Sequence, residues 1–267
     1  MIESQFLKDL HSNVDKLESK LSDEPEDKRY FKGHRSRFIH TCSRISSLCP
    51  PGSKVLDLGS YLLHTSILLS DCGFEVSGLD ISCFADSSLV VNRAKEFGIL
   101  NSSCDDFSRG DFLKGFEGQF DCILFTEALE HITFNPILFW ARVRELLAPG
   151  RGIVYLTTPN SLTIPNAISA LKNLLLLRSI GISVKSIFKT DTYGHHWKEY
   201  SRTELLEYCS KINACQVRIK RFNYDMPCGW EQAFKSSIRQ RIWLGAKSVG
   251  RSVPYFSEQL ECVFSFK

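Results

Sequence analysis

Two acidic residues and a histidine follow one of the apolar stretches of this chain. The stretch reads FDCILFTEALEH and ends with Glu127, Glu130 and His131. On an α-helix, positions i, i+3 and i+4 share one face, so these three side chains would converge. Two carboxylates and an imidazole suit a divalent cation. A plain helix start, where the helix dipole favours acids, explains the same residues, so the spacing leaves both interpretations open.

Two further acids stand at the ends of apolar runs that have the character of buried strands. KVLDLGS carries Asp57 and Gly59, and VSGLDIS carries Asp80. A strand that ends in Asp-x-Gly before a helix can bind a nucleotide, because the helix N-terminus offers free N–H groups. An acid at the end of the second strand can accept both hydroxyls of a ribose. The alternative is that both acids only cap loops.

The elements that would position these residues alternate along the middle of the chain. Short apolar runs, which indicate strands, are separated by helical stretches between residues 53 and 160. This alternation predicts an α/β fold with a parallel sheet and helices on both faces. Ligands bind such sheets at the carboxyl ends of the strands.

The flanking regions follow other patterns. The pattern of residues 1–23 predicts an amphipathic helix. The stretch SDEPEDKR predicts a polar linker, and residues 32–48 predict a second helix. The apolar stretch after residue 160 predicts a partly helical insert that covers the sheet edge as a lid. Its run of leucines at 174–177 could cover an apolar substrate, lie on a membrane surface or pack as core, and core packing is the commonest of the three. The last part of the chain predicts a helix at RTELLEYCSKI and two final strands at CQVRIKRF and ECVFSFK. We therefore expect four segments, namely N-terminal helices (1–50), a nucleotide-binding core (51–160), an inserted helical lid (161–194) and a C-terminal part (195–267).

The order and spacing of the strands resemble a class I S-adenosylmethionine-dependent methyltransferase. VLDLGS, VSGLDIS, FDCILFTEALEHI and APGRGIVYLTTPN match its motifs in order. The resemblance implies a Rossmann-like sheet of seven strands, mostly parallel with the last strand antiparallel. It also implies that Asp57 and Gly59 line the methionine end of the cofactor, that Asp80 holds the ribose, and that an acid after the third strand contacts the adenine. The cofactor-binding residues expected on this basis are Asp57, Gly59, Ser60, Asp80, Ile81, Asp105, Asp106 and Thr126, with Asp111 less favoured by the strand length.

The chain departs from the family in its glycine loop. The family pattern is Gly-x-Gly-x-Gly, whereas this chain has Gly59, Tyr61 and Leu63 at the three positions. Glycine is used where φ is positive or where a ligand approaches the backbone closely, and tyrosine and leucine resist both. The loop therefore either still binds the cofactor, binds it weakly along another path, or has lost it. We expect binding to be retained, because the other contact positions are present together.

A later stretch, YGHHWKEYS, resembles the histidine-bearing segment of two metal-dependent branches of the family. These are the quinone-biosynthesis O-methyltransferases and the small-RNA 2′-O-methyltransferases; bacterial glycan and natural-product methyltransferases have a similar stretch. His196 aligns if Glu199 and Tyr200 are the anchor, and His195 aligns if Trp197 is. The resemblance implies Glu127, Glu130, His131 and His196 as metal ligands, with Mg²⁺ as the candidate ion. A purely structural histidine is the alternative.

Two mechanisms are compatible with these residues. A cation would lower the pKa of a substrate hydroxyl and hold its oxygen toward the sulfonium methyl group. Without a metal, His131, His195 or His196 could act as a general base.

Composition excludes several classes of partner. Lysine and arginine number 33 against 30 acids, and this net charge of +3 is too small to favour a nucleic-acid partner. Ten scattered cysteines without a C-x-x-C pair suit a reducing compartment. No stretch has the pattern of a signal peptide or a transmembrane segment. These features predict a cytoplasmic protein and leave a small-molecule, glycan or lipid-like substrate open.

The leading hypothesis is therefore an S-adenosylmethionine-dependent O-methyltransferase. The first rival is a non-catalytic binding or regulatory protein with a degenerate glycine loop. The second rival is a nicotinamide-dependent oxidoreductase, and the absence of G-x-G-x-x-G argues against it.

Overall fold

The centre of the molecule is a seven-stranded sheet. The computed structural model describes residues 2–21, 25–177, 181–224, 245 and 247–267. The strands are β1 (Lys54–Leu58), β2 (Glu75–Asp80), β3 (Leu100–Ser103), β4 (Cys122–Thr126), β5 (Ile153–Pro159), β6 (Ala214–Phe222) and β7 (Gln259–Phe266). They are arranged in the order β3-β2-β1-β4-β5-β7-β6, and the sheet is mostly parallel with one antiparallel pair. The predicted Rossmann-like α/β fold is confirmed.

Nine α-helices surround or extend this sheet in the described residues, and residues 247–252 are a further helical stretch. The nine helices are α1 (Ile2–Lys20), α2 (Pro25–Leu48), α3 (His64–Asp71), α4 (Ser82–Ala85), α5 (Ser88–Phe97), α6 (Ile137–Leu146), α7 (Ile164–Leu175), α8 (Val184–Ile187) and α9 (Arg202–Lys211). The short helix α4 was not predicted, because one turn is too short to show a periodic pattern.

The predicted linker before α2 is wrong from Pro25 onward. Helix α2 begins at Pro25 and continues to Leu48. Proline is tolerated at the first helical position because the N–H that it lacks has no partner within the helix. Glu26 and Asp27 then stand in the first turn, where the helix dipole favours acids. The rest of the predicted linker, residues 22–24, lies outside the described residues.

Parallel pairing brings the ends of the first strands to one edge of the sheet. In β1 and β2, Asp57 pairs with Gly78 and Leu58 with Leu79. Asp80, the last residue of β2, pairs with Ser103 at the end of β3. The polar residues that follow these strands therefore emerge at the same edge, as the sequence predicts.

The chain forms two compact units, each made of separate stretches. The first contains Met1–Phe125, Asn135–Tyr155 and Ser265–Lys267, and the second contains Thr126–Phe134 and Leu156–Phe264. The predicted division into four consecutive segments stays a prediction.

The insert after β5 is helical, as predicted, and belongs to the second unit. It contains α7 and α8, and no residue of α7 is buried. Its role as a lid stays a prediction. In the part of the chain that the structure describes, no helix is both long enough and apolar enough to cross a bilayer.

Candidate functional site

The loop between β1 and α3 keeps a glycine-like backbone although it has lost two glycines. Gly59, Tyr61 and Leu63 have φ angles of 86°, 45° and 62°. All three positions are therefore left-handed, which costs a residue with a side chain roughly 1–2 kcal/mol. The loop retains a positive φ at each position where the family pattern has glycine.

The Leu63 side chain can be accommodated because the residue it contacts in β2 is a glycine, Gly78. The Leu63 side chain is fully buried. A Cβ atom added to Gly78 of β2 would lie 2.8 Å from Leu63 Cδ2, so only a glycine leaves room at that position. The Leu63 side chain is thus directed into the core of the first unit.

Tyr61 is held by aromatic contacts. Its half-buried ring meets Tyr30 of α2 edge-on at a centroid distance of 4.7 Å and Phe84 of α4 at 4.8 Å. Edge-to-face contacts of this kind stabilise an aromatic pair. The Tyr61 ring therefore has a defined place against two helices of the same unit.

Of the two strand-end acids, Asp80 bonds the loop and Asp57 bonds helix α3. Asp80 accepts the N–H of Tyr61 at 2.6 Å and that of Ile81 at 2.7 Å, one on each carboxylate oxygen. Burial raises the pKa of Asp80 although these two hydrogen bonds oppose the shift. Asp57 accepts the hydroxyl of Ser66 at 2.7 Å, and complete burial raises its pKa to about 6. Each carboxylate oxygen has a second lone pair, so Asp80 can still accept ribose hydroxyls.

The other expected cofactor residues of this unit lie nearby in the chain and differ in their bonding. Ser60 is buried, and its hydroxyl has no hydrogen-bond partner among the described residues. Asp105 accepts both the N–H and the hydroxyl of Ser82 at 2.9 Å, and these bonds lower its pKa. Asp106 accepts from Ser108 and caps a short 3-10 turn. Asp105 is therefore the acid tied to the start of α4.

A buried ion pair ties the loop to two helices. Arg93 of α5 bonds both carboxylate oxygens of Asp27 in α2, at 2.6 and 3.2 Å. Its guanidinium also donates to the Leu62 carbonyl at 2.8 Å, and His64 Nε2 lies 2.9 Å from Asp27. Burial alone would raise the pKa of Asp27, but the bonds from His64 and Arg93 hold it well below its usual value. Sequence reasoning missed this network, because its members are far apart in the chain and belong to no motif.

In the second unit, the predicted α-helix through Glu127 is wrong. Thr126 ends β4 and is half-buried. Glu127 then takes a left-handed φ of 52°, and its N–H donates to the Thr157 carbonyl at 2.8 Å. Only a 3-10 turn, Leu129–His131, follows. The acids and the histidine are therefore positioned by a bent backbone and not by one helix face.

Glu130 is a buried carboxyl with unsatisfied bonding capacity. One of its oxygens accepts the Thr158 hydroxyl at 3.0 Å, while Oε1 has no hydrogen-bond partner among the described residues. Burial, together with the charge of Glu127, raises the pKa of Glu130 to about 8. Its carbonyl oxygen accepts the N–H of Trp197 at 2.8 Å. Glu130 thereby contacts the second histidine stretch through its backbone.

Glu130, His131 and His196 form a compact donor group. One potential ligand atom from each lies within 4.8 Å of the others. Among the described residues, Glu127 is not part of this group, and its Oε1 accepts instead from the Tyr224 hydroxyl at 3.2 Å. With its amide oriented to donate, Gln259 lies 3.2 Å from the same oxygen.

Both imidazoles of the donor group are oriented through Nδ1. His131 Nδ1 donates to the carbonyl of His195 at 2.9 Å, so its Nε2 carries the lone pair. His196 Nδ1 lies 3.1 Å from Glu199 Oε1. The rings are nearly perpendicular, with centroids 5.0 Å apart. Hydrogen bonds on the far nitrogen are the usual way in which proteins orient metal-binding histidines.

The two alternatives from the sequence, His195 and His196, differ in position. His196 is in the donor group, while the buried His195 contributes its carbonyl and packs its ring against Trp197 at 5.3 Å. Burial, with the charge of His196, lowers the pKa of His131. The bond to Glu199, with the charge of Glu130, raises the pKa of His196.

The donor group suits a cation chemically. Two imidazole nitrogens and one carboxylate oxygen form a set that divalent transition metals accept. A cation would also stabilise the ionised form of the buried Glu130, whose Oε1 is otherwise unsatisfied among the described residues. Thr158, Tyr224 and Gln259 support this region and were missed by sequence reasoning, because no motif marks them.

Comparisons with known proteins agree with this architecture. A family model described as a methyltransferase domain matches residues 30–214. No curated protein matches the sequence. Phosphoethanolamine N-methyltransferase 2 of Haemonchus contortus, in complex with S-adenosyl-L-methionine, has a similar structure with a TM-score of 0.53 at 15% identity, over 85% of this chain and 52% of that one. The chain thus spans about half the length of that enzyme.

Two archaeal proteins are similar over nearly their full length. The PH0226 protein of Pyrococcus horikoshii gives a TM-score of 0.54 at 17% identity, covering 88% of this chain and 91% of that one. A SAM-dependent methyltransferase of Archaeoglobus fulgidus gives 0.52 at 13% identity, covering 89% and 99%. The chain belongs to the methyltransferase-domain family and has the class I, S-adenosylmethionine-dependent methyltransferase fold.

Proposed function

We propose that this protein transfers the methyl group of S-adenosylmethionine to an oxygen atom of its substrate with the help of a divalent cation. The observation that carries the proposal is the donor group of Glu130, His131 and His196, whose ligand atoms lie within 4.8 Å of one another. The enzyme of Haemonchus contortus is an N-methyltransferase by name, so the fold is compatible with other acceptor atoms. Oxygen is favoured here because a hydroxyl is a poor nucleophile near neutral pH, and a bound cation would promote the loss of its proton.

The cofactor part of the proposal assigns Asp57, Gly59 and Asp80 to S-adenosylmethionine. The left-handed loop supports it, because Tyr61 and Leu63 retain the backbone conformation that glycine would adopt. The Leu63 side chain is buried against Gly78, so it does not occupy the ligand side of the loop. Ser60, Ile81, Asp105, Asp106 and Thr126 complete the proposed cofactor set.

The metal part assigns Glu130, His131 and His196 as ligands, with Glu127 as a further carboxylate of the site. A bound cation would lower the pKa of the substrate hydroxyl and fix its oxygen. The hydrogen bonds on Nδ1 leave Nε2 of each histidine as its ligand atom. Mg²⁺ prefers oxygen donors, so two imidazoles favour Mn²⁺, Fe²⁺ or Zn²⁺ over it.

A metal-free mechanism is the alternative for the same residues. His131 has an unprotonated Nε2 and a lowered pKa, so it is neutral near pH 7 and can accept a proton from a hydroxyl. The donated hydrogen bond to the His195 carbonyl fixes its ring orientation. The acceptor itself, in either mechanism, is a small-molecule, glycan or lipid-like hydroxyl.

Calorimetry separates these possibilities. The purified chain is titrated with S-adenosylhomocysteine, and separately with Mg²⁺, Mn²⁺ and Zn²⁺. We expect the parent and the variants alike to bind S-adenosylhomocysteine. We also expect the parent to bind a cation, and Glu130→Gln and His196→Asn each to weaken that binding at least about tenfold. His11→Asn, a substitution in the exposed part of α1, is the matched control and leaves both affinities unchanged.

Two results would contradict the proposal. Absence of heat with S-adenosylhomocysteine supports the rival, a non-catalytic binding or regulatory protein. Cofactor binding with cation affinities that the two site variants do not change supports the metal-free mechanism, in which His131 is the base.

A further inference from the structure

Helix α7 exposes apolar side chains on a scale that is unusual for a folded protein. None of its residues is buried, and Leu171, Leu174 and Leu175 are all exposed. Helices of water-soluble proteins normally bury such an apolar stripe against a core. The apolar surface of α7 therefore faces outward from its own unit.

The exposure continues beyond the helix. Leu177 is 96% exposed, and Phe188, just after α8, is 88% exposed. Most of the large apolar side chains that are exposed in the described part of the chain fall between residues 162 and 197. Single exposed apolar residues need no explanation, but a concentration of this kind marks an interaction surface.

The charge of this stretch has one sign. Residues 162–189, which we call the cationic segment, contain Lys172, Arg178, Lys185 and Lys189 and no aspartate or glutamate. Lys172 and Lys189 are exposed. The net charge of residues 162–189 is therefore +4, and Asp191 follows two residues later.

We propose that the cationic segment docks the protein on the surface of an anionic lipid bilayer. Exposed leucines and a phenylalanine enter the boundary between headgroups and acyl chains, while Lys172 and Lys189 meet the anionic headgroups. Tyr193 and Trp197, which are also exposed, are amphipathic rings suited to the same boundary. The segment lies on the bilayer, and the proposal does not depend on which acceptor the enzyme methylates.

Two other occupants fit the charge less well. A second copy of the chain would bring two cationic segments together, which like-charge repulsion opposes. Residues 225–244 of the same chain contain three basic and two acidic residues, so their net charge also has the sign of the segment. An anionic bilayer complements both the apolar character and the charge of the segment.

Vesicle flotation tests the proposal. The full chain is mixed with vesicles of phosphatidylcholine alone or with phosphatidylglycerol added, at low and high salt. We expect partitioning at least about tenfold stronger onto the anionic vesicles and weaker at high salt, because headgroup attraction is screened. Equal partitioning onto both compositions, or none onto either, overturns the proposal.

Matched variants locate the surface. Leu174 and Ile137 have the same exposure, 65%, so Leu174→Glu is compared with Ile137→Glu, and Lys172→Glu is compared with Lys8→Glu in α1. Each change in the segment is expected to lower partitioning about tenfold, and each control to leave it unchanged. Circular dichroism confirms folding. The assignment would be overturned if the two segment variants partitioned onto vesicles as strongly as their controls. It would also be overturned if the chain associated with itself in the absence of lipid and Leu174→Glu abolished that association.

Discussion

Leu63, in the loop between β1 and α3, is sterically matched to Gly78 of β2. Leu63 occupies a position where the family pattern has glycine, and its Cδ2 atom would lie 2.8 Å from any Cβ atom at position 78. A glycine in β2 thus compensates for the glycine lost from the loop. Because this compensation is steric, it can be tested at either residue.

Gly78→Ala is expected to destabilise the protein by about 1–3 kcal/mol, because the added methyl group overpacks the contact with Leu63. Chemical denaturation measures the change. In the Leu63→Ala background the same substitution should cost clearly less, because the two residues are in contact and their effects are not additive.

Gly33→Ala is the control for that experiment. Gly33 lies inside α2, and nothing lies within 4 Å of a Cβ atom added there. Alanine should therefore stabilise the helix by up to about 1 kcal/mol. If Gly78→Ala had the same free energy of unfolding as the parent, β2 would accommodate the added methyl group without strain and the predicted steric match would be wrong.

Tyr61→Gly, which restores the family residue, is expected to change the dissociation constant for S-adenosylhomocysteine by less than about threefold. The loop already has a positive φ at this position, and the Tyr61 ring is held by Tyr30 and Phe84. Loss of those two aromatic contacts costs stability, at roughly 0.5–1.5 kcal/mol each, and relief of backbone strain offsets part of it.

Calorimetry provides the measurement, with Asp80→Ala as the comparison that should weaken binding at least about tenfold. If Tyr61→Gly instead tightens binding tenfold, the tyrosine obstructs the cofactor.

Arg93→Ala is expected to destabilise the protein by about 3–5 kcal/mol, because it removes the guanidinium that pairs with the buried Asp27. It also frees the Leu62 carbonyl, so the cofactor loop loses an anchor. Arg109→Ala removes an exposed arginine that pairs with Asp111 and should change stability by less than about 1 kcal/mol. If urea denaturation showed that Arg93→Ala and Arg109→Ala lower the free energy of unfolding equally, the hydrogen-bond network around Arg93 would not stabilise the fold.

Asp57 should make stability depend on pH below neutrality. Its pKa is raised to about 6 by burial, so the folded state binds this proton more tightly than the unfolded state. The stability it contributes is present below the unfolded pKa near 3.8 and is lost as the pH rises through about 6. The loss is roughly 3 kcal/mol at most.

Asp57→Asn keeps the shape of the side chain and removes its titration. The unfolding free energy of the variant minus that of the parent should therefore increase from pH 4 to pH 6 and then stay level. Denaturation at a series of pH values measures it. A constant difference over this range would contradict the raised pKa.

The fold and the strand-end acids are predictable from the sequence, whereas the supporting contacts are not. Asp57 and Asp80 follow apolar runs whose length and order indicate parallel strands, and such strands share one binding edge. The contact of Leu63 with Gly78 and the ion pair of Asp27 with Arg93 join distant residues by packing, which leaves no local pattern.

The prediction of an α-helix after β4 is wrong for a different reason. Glu127 takes a left-handed conformation, and its N–H bonds the neighbouring Thr157, so the chain bends where the spacing predicts an α-helix. Periodicity describes side chains along a regular backbone and carries no information on such a bend. The convergence of His131 with His196 depends on that bend and on the contact between Glu130 and Trp197.

Glu199 should control the affinity of the proposed metal site although it is not a ligand. It accepts the Nδ1 proton of His196 at 3.1 Å and an amide proton of Asn166 at 2.9 Å, so it fixes the imidazole in one orientation and increases its basicity. Glu199→Gln is expected to weaken Mn²⁺ or Zn²⁺ binding about 10–100-fold without changing the affinity for S-adenosylhomocysteine. It should also lower the pKa of His196, which NMR titration detects. Glu207→Gln, on the exposed surface of α9, removes the same charge and should do neither. An equal loss of cation affinity in both variants would mean that overall charge, and not the orientation of His196, governs the site.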